Sequence, residues 1–534
     1  MTSPVILINS GAYILQELSA EFGPLPPAFL PVGMRRLYEL QVEALAPVGG
    51  EMYLTLPESF RLPAWDAERL AGLGVQVIAS PDSLELGGAL LFALGRMGFV
   101  DRPLRILHGD TLISGLDPSA EDAVAAAAGA DGYRWAKVEH EDGRVARISR
   151  PELVTESADS LRLTGYFAFT NSARFAEALA LARGDFFDAL NSYAETSGLR
   201  LTRTGRWLDF GHVQTFFRSR REITTQRAFN SLEIDGVTVR KRSRESAKLR
   251  AEASWLLSIP APLRPFSARL LQEGEDGVGY FYDTEYEYMP TLAELYVFGR
   301  LAPGSWKRIL GSCQDFLDTA AQVEPPSLED RLAALAIEKT RGRLRQYAIA
   351  HDLDLEAPNT LNGRPAPSFA TVLKSIEAQV RADASRPAVM HGDFCFSNIL
   401  FDARTDRIRV IDPRGVDAQG RPTLFGDTRY DVAKLMHSIR GRYDLIIAGQ
   451  VAAGKLGPNA FTLEFPEEEG RRWVESAASE MQMGGVALDS DAVSATVVSL
   501  FLSMPPLHAD RPERQTAFLA NALRLYLDLE SARP

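Results

Sequence analysis

The stretch His391–Gly415 reads H-G-D-F-C-F-S-N-I-L-F-D-A-R-T-D-R-I-R-V-I-D-P-R-G. It contains an aspartate, Asp393, an asparagine five residues on, Asn398, and a second aspartate, Asp412, closing an apolar run. Mg²⁺-dependent phosphoryl transfer needs such a set. One carboxylate orients or deprotonates the attacking hydroxyl, while a side-chain carbonyl and another carboxylate hold metal ions that bridge nucleotide phosphates. The apolar runs 399–401 and 408–411 are predicted to be the strands of a hairpin around Asp402–Arg407, which would return Asp412 to the side of Asn398.

The rest of the chain bounds that reading. With 534 residues, 46% hydrophobic and 24% charged, it has the composition of an ordinary globular protein, and its length suggests about three folding units. A net charge of −12 gives no whole-chain basic field, so nucleic acid is not an expected partner. A local basic cluster, Arg240, Lys241, Arg242 and Arg244, could still meet phosphate. The two cysteines, Cys313 and Cys395, cannot form a disulfide framework and fit a reducing compartment; Cys395 is read as a packing residue. No opening stretch has the layout of a signal peptide, and no apolar run approaches the length of about eighteen residues that a membrane span needs. The expectation is a cytoplasmic protein without membrane insertion.

Residues 1–220 alternate short β-rich runs with helical patterns, the signature of an α/β layer fold with a largely parallel sheet. Strands are predicted at Pro4–Asn9, Glu51–Leu56, Val75–Ala79 and Leu104–Leu107, with helices over Arg36–Leu45 and over Ser83–Met97, the latter capped by its serine. In open sheets of this kind ligands sit beyond the carboxyl ends of the strands, which places Asp110, in His108-Gly109-Asp110-Thr111, where a metal-binding carboxylate is expected.

The segment Phe22–Leu45, F-G-P-L-P-P-A-F-L-P-V-G-M-R-R-L-Y-E-L-Q-V-E-A-L, resembles the nucleotide-binding segment of sugar-phosphate nucleotidyltransferases. The helix with Gly87 and Gly88, the G-D-T at Gly109–Thr111, the run Thr164–Phe169 and W-L-D-F-G-H at Trp207–His212 follow in that family's order. The resemblance implies a Rossmann-like domain in which Asp110 and Asp209 carry Mg²⁺, Gly11 lies in the phosphate loop, the Gly87-Gly88 turn approaches the base and Gly165 lies by the sugar. A second nucleoside triphosphate, CTP or dTTP, would be its cofactor. Two departures bear on activity: the opening loop Ser10–Leu15 has no basic residue, and proline at about Pro27 stands where the family has lysine. Charge neutralisation is usually the largest catalytic term, so these losses leave open a domain that binds without reacting.

The charged run Arg218–Arg221 is read as part of the connector to a second unit. After it, Gly236–Lys241 alternates like a strand and ends in Lys241, and eleven residues later Glu252 lies within a predicted helix, Glu245–Leu257. A strand lysine paired to a helix glutamate positions the nucleotide phosphates in kinase folds. The covering loop, Phe229–Glu233, has no glycine. Phe281–Met289 resembles the connection between two lobes, with Glu287 and Met289 offering backbone groups to an adenine; a buried strand stopped by Pro290 is the alternative. Helices are predicted over Leu292–Leu301, Gly304–Gln322 with Ser305 as its cap, Leu328–Ala350, Ser368–Ala384 and up to Arg514–Leu529, with a polar turn region at Asn359–Pro367. Asp427 or Asp431 is expected to cap the helix that follows Gly426.

Residues 228–534 are similar to aminoglycoside phosphotransferase and choline kinase-like small-molecule kinases, on H-G-D-F-C-F-S-N at His391–Asn398 and I-D-P at Ile411–Pro413. The likeness implies a two-lobed, protein-kinase-like α+β domain that uses ATP and Mg²⁺. Asp393 would be its catalytic base, Asn398 and Asp412 its metal ligands, Lys241 its phosphate contact, paired with Glu252, and His391 and Asp431 its loop buttresses. Arg414, in Pro-Arg-Gly after Asp412, would lie near the phosphates or recognise an anionic substrate. The expected domains are therefore 1–222 and 223–534, the latter with a first lobe of about 223–290 and a helical lobe of about 291–534. The pair resembles fusions of capsular or other surface-polysaccharide biosynthesis. It would phosphorylate a sugar or amino-alcohol and attach a nucleotide to the product; the alternative is a non-catalytic nucleotide-sugar sensor or scaffold.

Overall fold

The computed structural model describes residues 3–98, 101–128, 133–153, 161–202, 204–223, 231–244, 246–325 and 332–532. The chain divides into two compact units, Met1–Arg220 and Arg221–Pro534, rather than the three suggested by length. Residues 229 and 230 of the expected covering loop, Glu245, and the start of the helix expected from Leu328 lie outside the described residues.

In the first unit Val5–Asn9 is a nearly uninterrupted apolar run, which suits a strand covered on both faces, and its first four residues are buried. It lies inside a nine-stranded sheet of order 75–80, 51–57, 5–9, 104–108, 161–169, 123–128, 200–202, 144–148, 138–141. The first four of these strands are mutually parallel, as the alternation of strand and helix implies. Beyond them the expectation of a largely parallel sheet fails. Leu161–Phe169 runs antiparallel to both its neighbours, and Val138–Glu141 and Arg144–Ile148 form a hairpin. That hairpin turns on Asp142 and Gly143, both at positive φ, a two-residue connection that only antiparallel strands accept. The helices Leu86–Arg96, Ser172–Leu181 and Phe186–Thr196 contribute to one core, where Phe169 stacks on Phe175 at 4.0 Å and meets Tyr193 edge-on. Ser83 does not cap the first of these helices. The Leu84 N–H closes a turn onto the Pro81 carbonyl, and the helix starts at Leu86 behind Glu85.

The second unit opens with a four-stranded antiparallel sheet, in order Ser231–Ile234, Thr238–Ser243, Tyr280–Glu285, Leu270–Glu275, with the helix Ser246–Ser258 packed against it. The chain then enters a mainly helical region. Leu292–Phe298 starts on a capping box between Thr291 and Glu294, and Pro303–Ala321 starts with proline in its first turn, so Ser305 lies inside the helix and caps nothing. The predicted turn region at Asn359–Pro367 is a hairpin, Asn359–Leu361 with Arg364–Ala366, which extends a second four-stranded sheet through the parallel pairing Thr360 with Ala460. The hairpin Ile399–Asp402 with Arg407–Val410 forms as expected, with Ile399 opposite Val410. The helices Thr428–Ile439, Asp491–Ser503 and Pro512–Ser531 supply much of the buried apolar surface.

Candidate active site

The hairpin register brings the ends of the quoted stretch together. With Ile399 opposite Val410, the Ile411 N–H donates to the Asn398 carbonyl at 3.0 Å, so Asp412 follows directly beside Asn398. Asp412 takes a left-handed backbone, φ +57°, a conformation that costs a non-glycine residue free energy and is found at functional turns. Lys241, on the strand Thr238–Ser243, bridges Glu252 Oε2 at 2.8 Å and Asp412 Oδ1 at 2.7 Å. Burial works against its charge, but the two carboxylates outweigh burial and hold the ammonium above its ordinary range. Tyr282, opposite Lys241 in the sheet, donates its hydroxyl to the same Glu252 oxygen at 2.9 Å.

The helix bearing Glu252 is fixed at two points, one just before the quoted stretch and one at its end. Trp255 donates its indole N–H to the Met390 carbonyl at 2.9 Å. Gly415, at φ +65°, lies so close that a Cβ there would sit 2.3 Å from the Ala251 carbonyl oxygen. No residue but glycine fits that backbone and that approach.

His391 and Gly392 both donate their backbone N–H groups to the Asp431 carboxylate at 2.7 Å, so Asp431 braces the loop while Asp427 caps the helix Thr428–Ile439. The His391 ring is fully buried. Its Nε2 lies 3.0 Å from the Ile411 carbonyl and its Nδ1 3.3 Å from the Asp393 N–H, a pattern satisfied by the neutral ring with its proton on Nε2. Burial pushes its pKa down to about 4. His391 is thus a structural buttress between the two ends of the stretch.

Asn398 donates Nδ2 to the Asp393 carbonyl and to Asp393 Oδ2, each at 3.0 Å, which turns its amide oxygen away from Asp393. Asp393 also pairs with Lys434 Nζ at 2.8 Å. Burial raises the Asp393 carboxyl, but the Lys434 ammonium overrides it and holds the group well below the ordinary carboxylate range. Such a carboxylate is ionised throughout the neutral range. Lys434 was not singled out in the sequence. The available signal is its position three residues after Asp431, on the same side of the helix.

Arg414 donates its backbone N–H to the His391 carbonyl, while its guanidinium reaches the Val416 carbonyl at 3.1 Å and the Tyr430 hydroxyl at 3.4 Å. Lys339 and Arg343, in the first turns of the helix Lys339–Ala350, also face this region and were missed in the sequence. In the connector the Met289 N–H bonds to the Glu287 carbonyl at 2.9 Å, so an adenine placed there would have to exchange that bond. Glu287 carries a half-buried carboxyl raised by burial, with Arg409 3.7 Å away. The next residues are tied to the hairpin from Ile399: the Phe401 N–H donates to the Pro290 carbonyl at 3.0 Å. Cys395 is buried, and burial pushes its thiol up to about 12, which suits packing rather than nucleophilic work.

In the first unit the strands Trp207–Asp209 and Thr111–Ile113 pair with Asp209 opposite Thr111. Asp110 and Asp209 flank Gly211: a Cβ there would lie 2.8 Å from one carboxylate and 3.5 Å from the other. Gly11 follows the first strand, where an added Cβ would touch Ser80 and Thr55. Gly87 and Gly88 lie in the first turn of the helix Leu86–Arg96. The space a Cβ would take at Gly87 is filled by the Gly184 carbonyl oxygen, at 2.1 Å, so packing accounts for that glycine. Arg36 is buried against Asp66 and the Phe29 carbonyl, and Arg35 pairs with Glu43, so both arginines of the quoted Phe22–Leu45 segment are bound within the protein.

Among the described residues no three His, Cys, Asp or Glu side chains form a metal cluster. The candidate donor sets are instead a carbonyl with a carboxylate, Asn398 with Asp412, and a carboxylate pair, Asp110 with Asp209. Both are hard-oxygen sets that suit Mg²⁺ sharing its shell with phosphates and water. Among the described residues no helix is long and apolar enough to cross a membrane.

Residues 235–465 match the family described as phosphotransferase enzymes. No match is found among curated proteins. Among solved structures, aminoglycoside phosphotransferase APH(3'')-Id from Streptomyces rimosus, in complex with ADP and streptomycin, is 20% identical over 50% of this chain and 88% of that one, with a TM-score of 0.32. A thermostable mutant of aminoglycoside phosphotransferase APH(4)-Ia, in a ternary complex with ADP and hygromycin B, is 14% identical over 58% and 93%, with a TM-score of 0.38. The inositol-1-phosphate CTP transferase from T. maritima is 16% identical over 42% and 98%, with a TM-score of 0.30.

Proposed function

From a second unit whose residues 235–465 match the phosphotransferase enzyme family, we propose that the protein is an ATP- and Mg²⁺-dependent kinase for a hydroxyl of a small molecule such as a sugar or amino-alcohol. The observation that carries this reading is the convergence of Lys241, Glu252 and Asp412 on one ion-pair network, next to an Asn398 amide clamped to Asp393. Asn398 and Asp412 would hold the metal, which when bound neutralises phosphate charge. Lys241 would exchange part of its contact with Asp412 for phosphate oxygens. Asp393, ionised and fixed by Lys434 and Asn398, orients the acceptor hydroxyl and takes its proton. The connector around Glu287 and Met289 would meet the adenine.

For the first unit the proposal is nucleotidyl transfer to the phosphorylated product from CTP or dTTP, with Asp110 and Asp209 holding Mg²⁺, in the service of surface-polysaccharide synthesis. A second reading has its own support. Arg35 and Arg36 are bound to Glu43 and Asp66, and the opening loop has no cation, so this unit would bind a nucleotide sugar without reacting. Pyrophosphate release that disappears in Asp110→Asn and Asp209→Asn favours transfer; tight binding without release favours the sensor. For the kinase, ADP formation by the full chain with a panel of sugars and amino-alcohols is the test. The expected result is acceptor-stimulated turnover abolished by Asp393→Asn and Asp412→Asn. Turnover that survives both changes would overturn the proposal.

A further inference from the structure

Several basic side chains stand around the Asp393 carboxylate, with the buried Asp431 behind its loop. Lys434 pairs with Asp393 at 2.8 Å. Lys339 and Arg343 stand at i and i+4 on one helix and so share a face. The five-residue π-helical turn Ala334–Glu338 runs directly into Lys339; such turns re-aim the side chains that follow them and recur at functional sites. Lys339 interacts electrostatically with Arg414, Arg343, Lys434 and Asp393, and Arg343 with Tyr430 and Arg414. The Tyr430 hydroxyl, 3.4 Å from Arg414, therefore stands by both guanidinium groups. Arg414 itself bonds only neutral oxygens, those of Val416 and Tyr430. Among the described residues no carboxylate makes an ion pair with Lys339, Arg343 or Arg414. These three partly desolvated basic groups, two from the helix and one from the loop after Asp412, repel one another when charged, and an anion seated among them would relieve that repulsion.

We infer that the hydroxyl compound phosphorylated at Asp393 is itself an anion, a small molecule carrying a phosphate or carboxylate group held by Lys339, Arg343 and Arg414. This rests on the kinase reading and narrows its acceptor. A cationic amino-alcohol would meet repulsion where an anion meets three donors. In the transfer, Asp393 receives the proton of the acceptor hydroxyl as its oxygen bonds to the γ-phosphorus of ATP. The bond from that phosphorus to the β,γ-bridging oxygen breaks, and its electron pair leaves with ADP.

The test uses the full chain with Mg-ATP and matched acceptors: glycerol, glycerol 3-phosphate, glycerate and ethanolamine. An anionic member is expected to exceed glycerol and ethanolamine in kcat/KM by about tenfold or more, the size of one charge-assisted contact. Glycerol 3-phosphate against glycerate tells phosphate from carboxylate. Lys339→Met and Arg343→Met are expected to raise the KM of the anionic acceptor far more than that of ATP. Preference for the neutral or cationic acceptor would overturn the inference, as would variants that raise chiefly the ATP KM, which would assign the cluster to the nucleotide. Calorimetry with inorganic phosphate in saturating Mg-ADP tests the anion site independently of turnover. Binding lost in both variants supports it, and binding unchanged in both overturns it. Failure of the kinase reading looks different: ATP is then neither bound nor consumed with any acceptor.

Discussion

Lys434 is a buried and Lys339 a half-buried lysine near Asp393, and opposite environments move them in opposite directions. Lys434 has Asp393 as a partner, and burial does not prevent its pKa from rising well above the ordinary lysine range. Lys434→Met is expected to lower kcat by roughly a hundredfold, in line with loss of a positioned proton acceptor. It should also bring an acid limb into the pH–rate profile that the wild type lacks, because Asp393 loses the charge that depresses it. Unchanged acid behaviour would show that Lys434 does not tune Asp393. Lys339 faces Arg414, Arg343 and Lys434 with only Asp393 to offset them, and burial with these charges pushes it down to about 7. The unfolded chain then holds more protons than the fold between about pH 7 and 10, so this lysine makes stability rise with pH across that window and costs most below it. Urea midpoints for Lys339→Met should lose that slope. The juxtaposition of Asn398 and Asp412 was legible in the sequence, because one local hairpin register sets it, and Asp393, five residues before Asn398, joins them through the Asn398 amide. Lys339 was not: its role comes from a helix that only tertiary packing brings to Asp393.

The same distinction separates the elements. The hairpin from Ile399 and the lysine strand with its glutamate helix were legible, since each turns on near neighbours and a repeating apolar pattern. The hairpin at Asn359–Pro367 was hidden because its partner strand, Ala460–Glu464, lies about a hundred residues further on and its own residues are polar. Gly415 belongs to this level too, since it couples two elements: the loop after Asp412 and the helix Ser246–Ser258. Gly415→Ala places a methyl against the Ala251 carbonyl at a left-handed φ, and should cost about 1–3 kcal/mol of stability. The displaced helix would carry Glu252 away from Lys241. Thermal melting should therefore fall together with ATP affinity, whereas a purely local strain would lower melting alone.

Each of the two units has a buried apolar centre of its own: Phe167, Phe169 and Phe175 lie in the first, and Phe316, Phe394 and Phe396 in the second. Each also has its own candidate pair of hard-oxygen donors, and on the proposed function each should respond to its own nucleotide. A ligand that binds only the folded state raises stability by RT ln(1 + [L]/Kd), about 2.7 kcal/mol at a hundred times Kd. Scanning calorimetry of the full chain should thus show one transition raised by Mg-ATP and sensitive to Asp412→Asn. A different transition should be raised by CTP or dTTP with Mg²⁺ and be sensitive to Asp209→Asn. The two substitutions keep side-chain shape and remove one charge, so each should cancel its own nucleotide's shift and leave the other's. If Mg-ATP moved the transition that depends on Asp209, the assignment of the two nucleotides to the two units would be wrong. If CTP and dTTP moved neither, the first unit would be left with its paired arginines and no nucleotide to bind, and the kinase would stand alone.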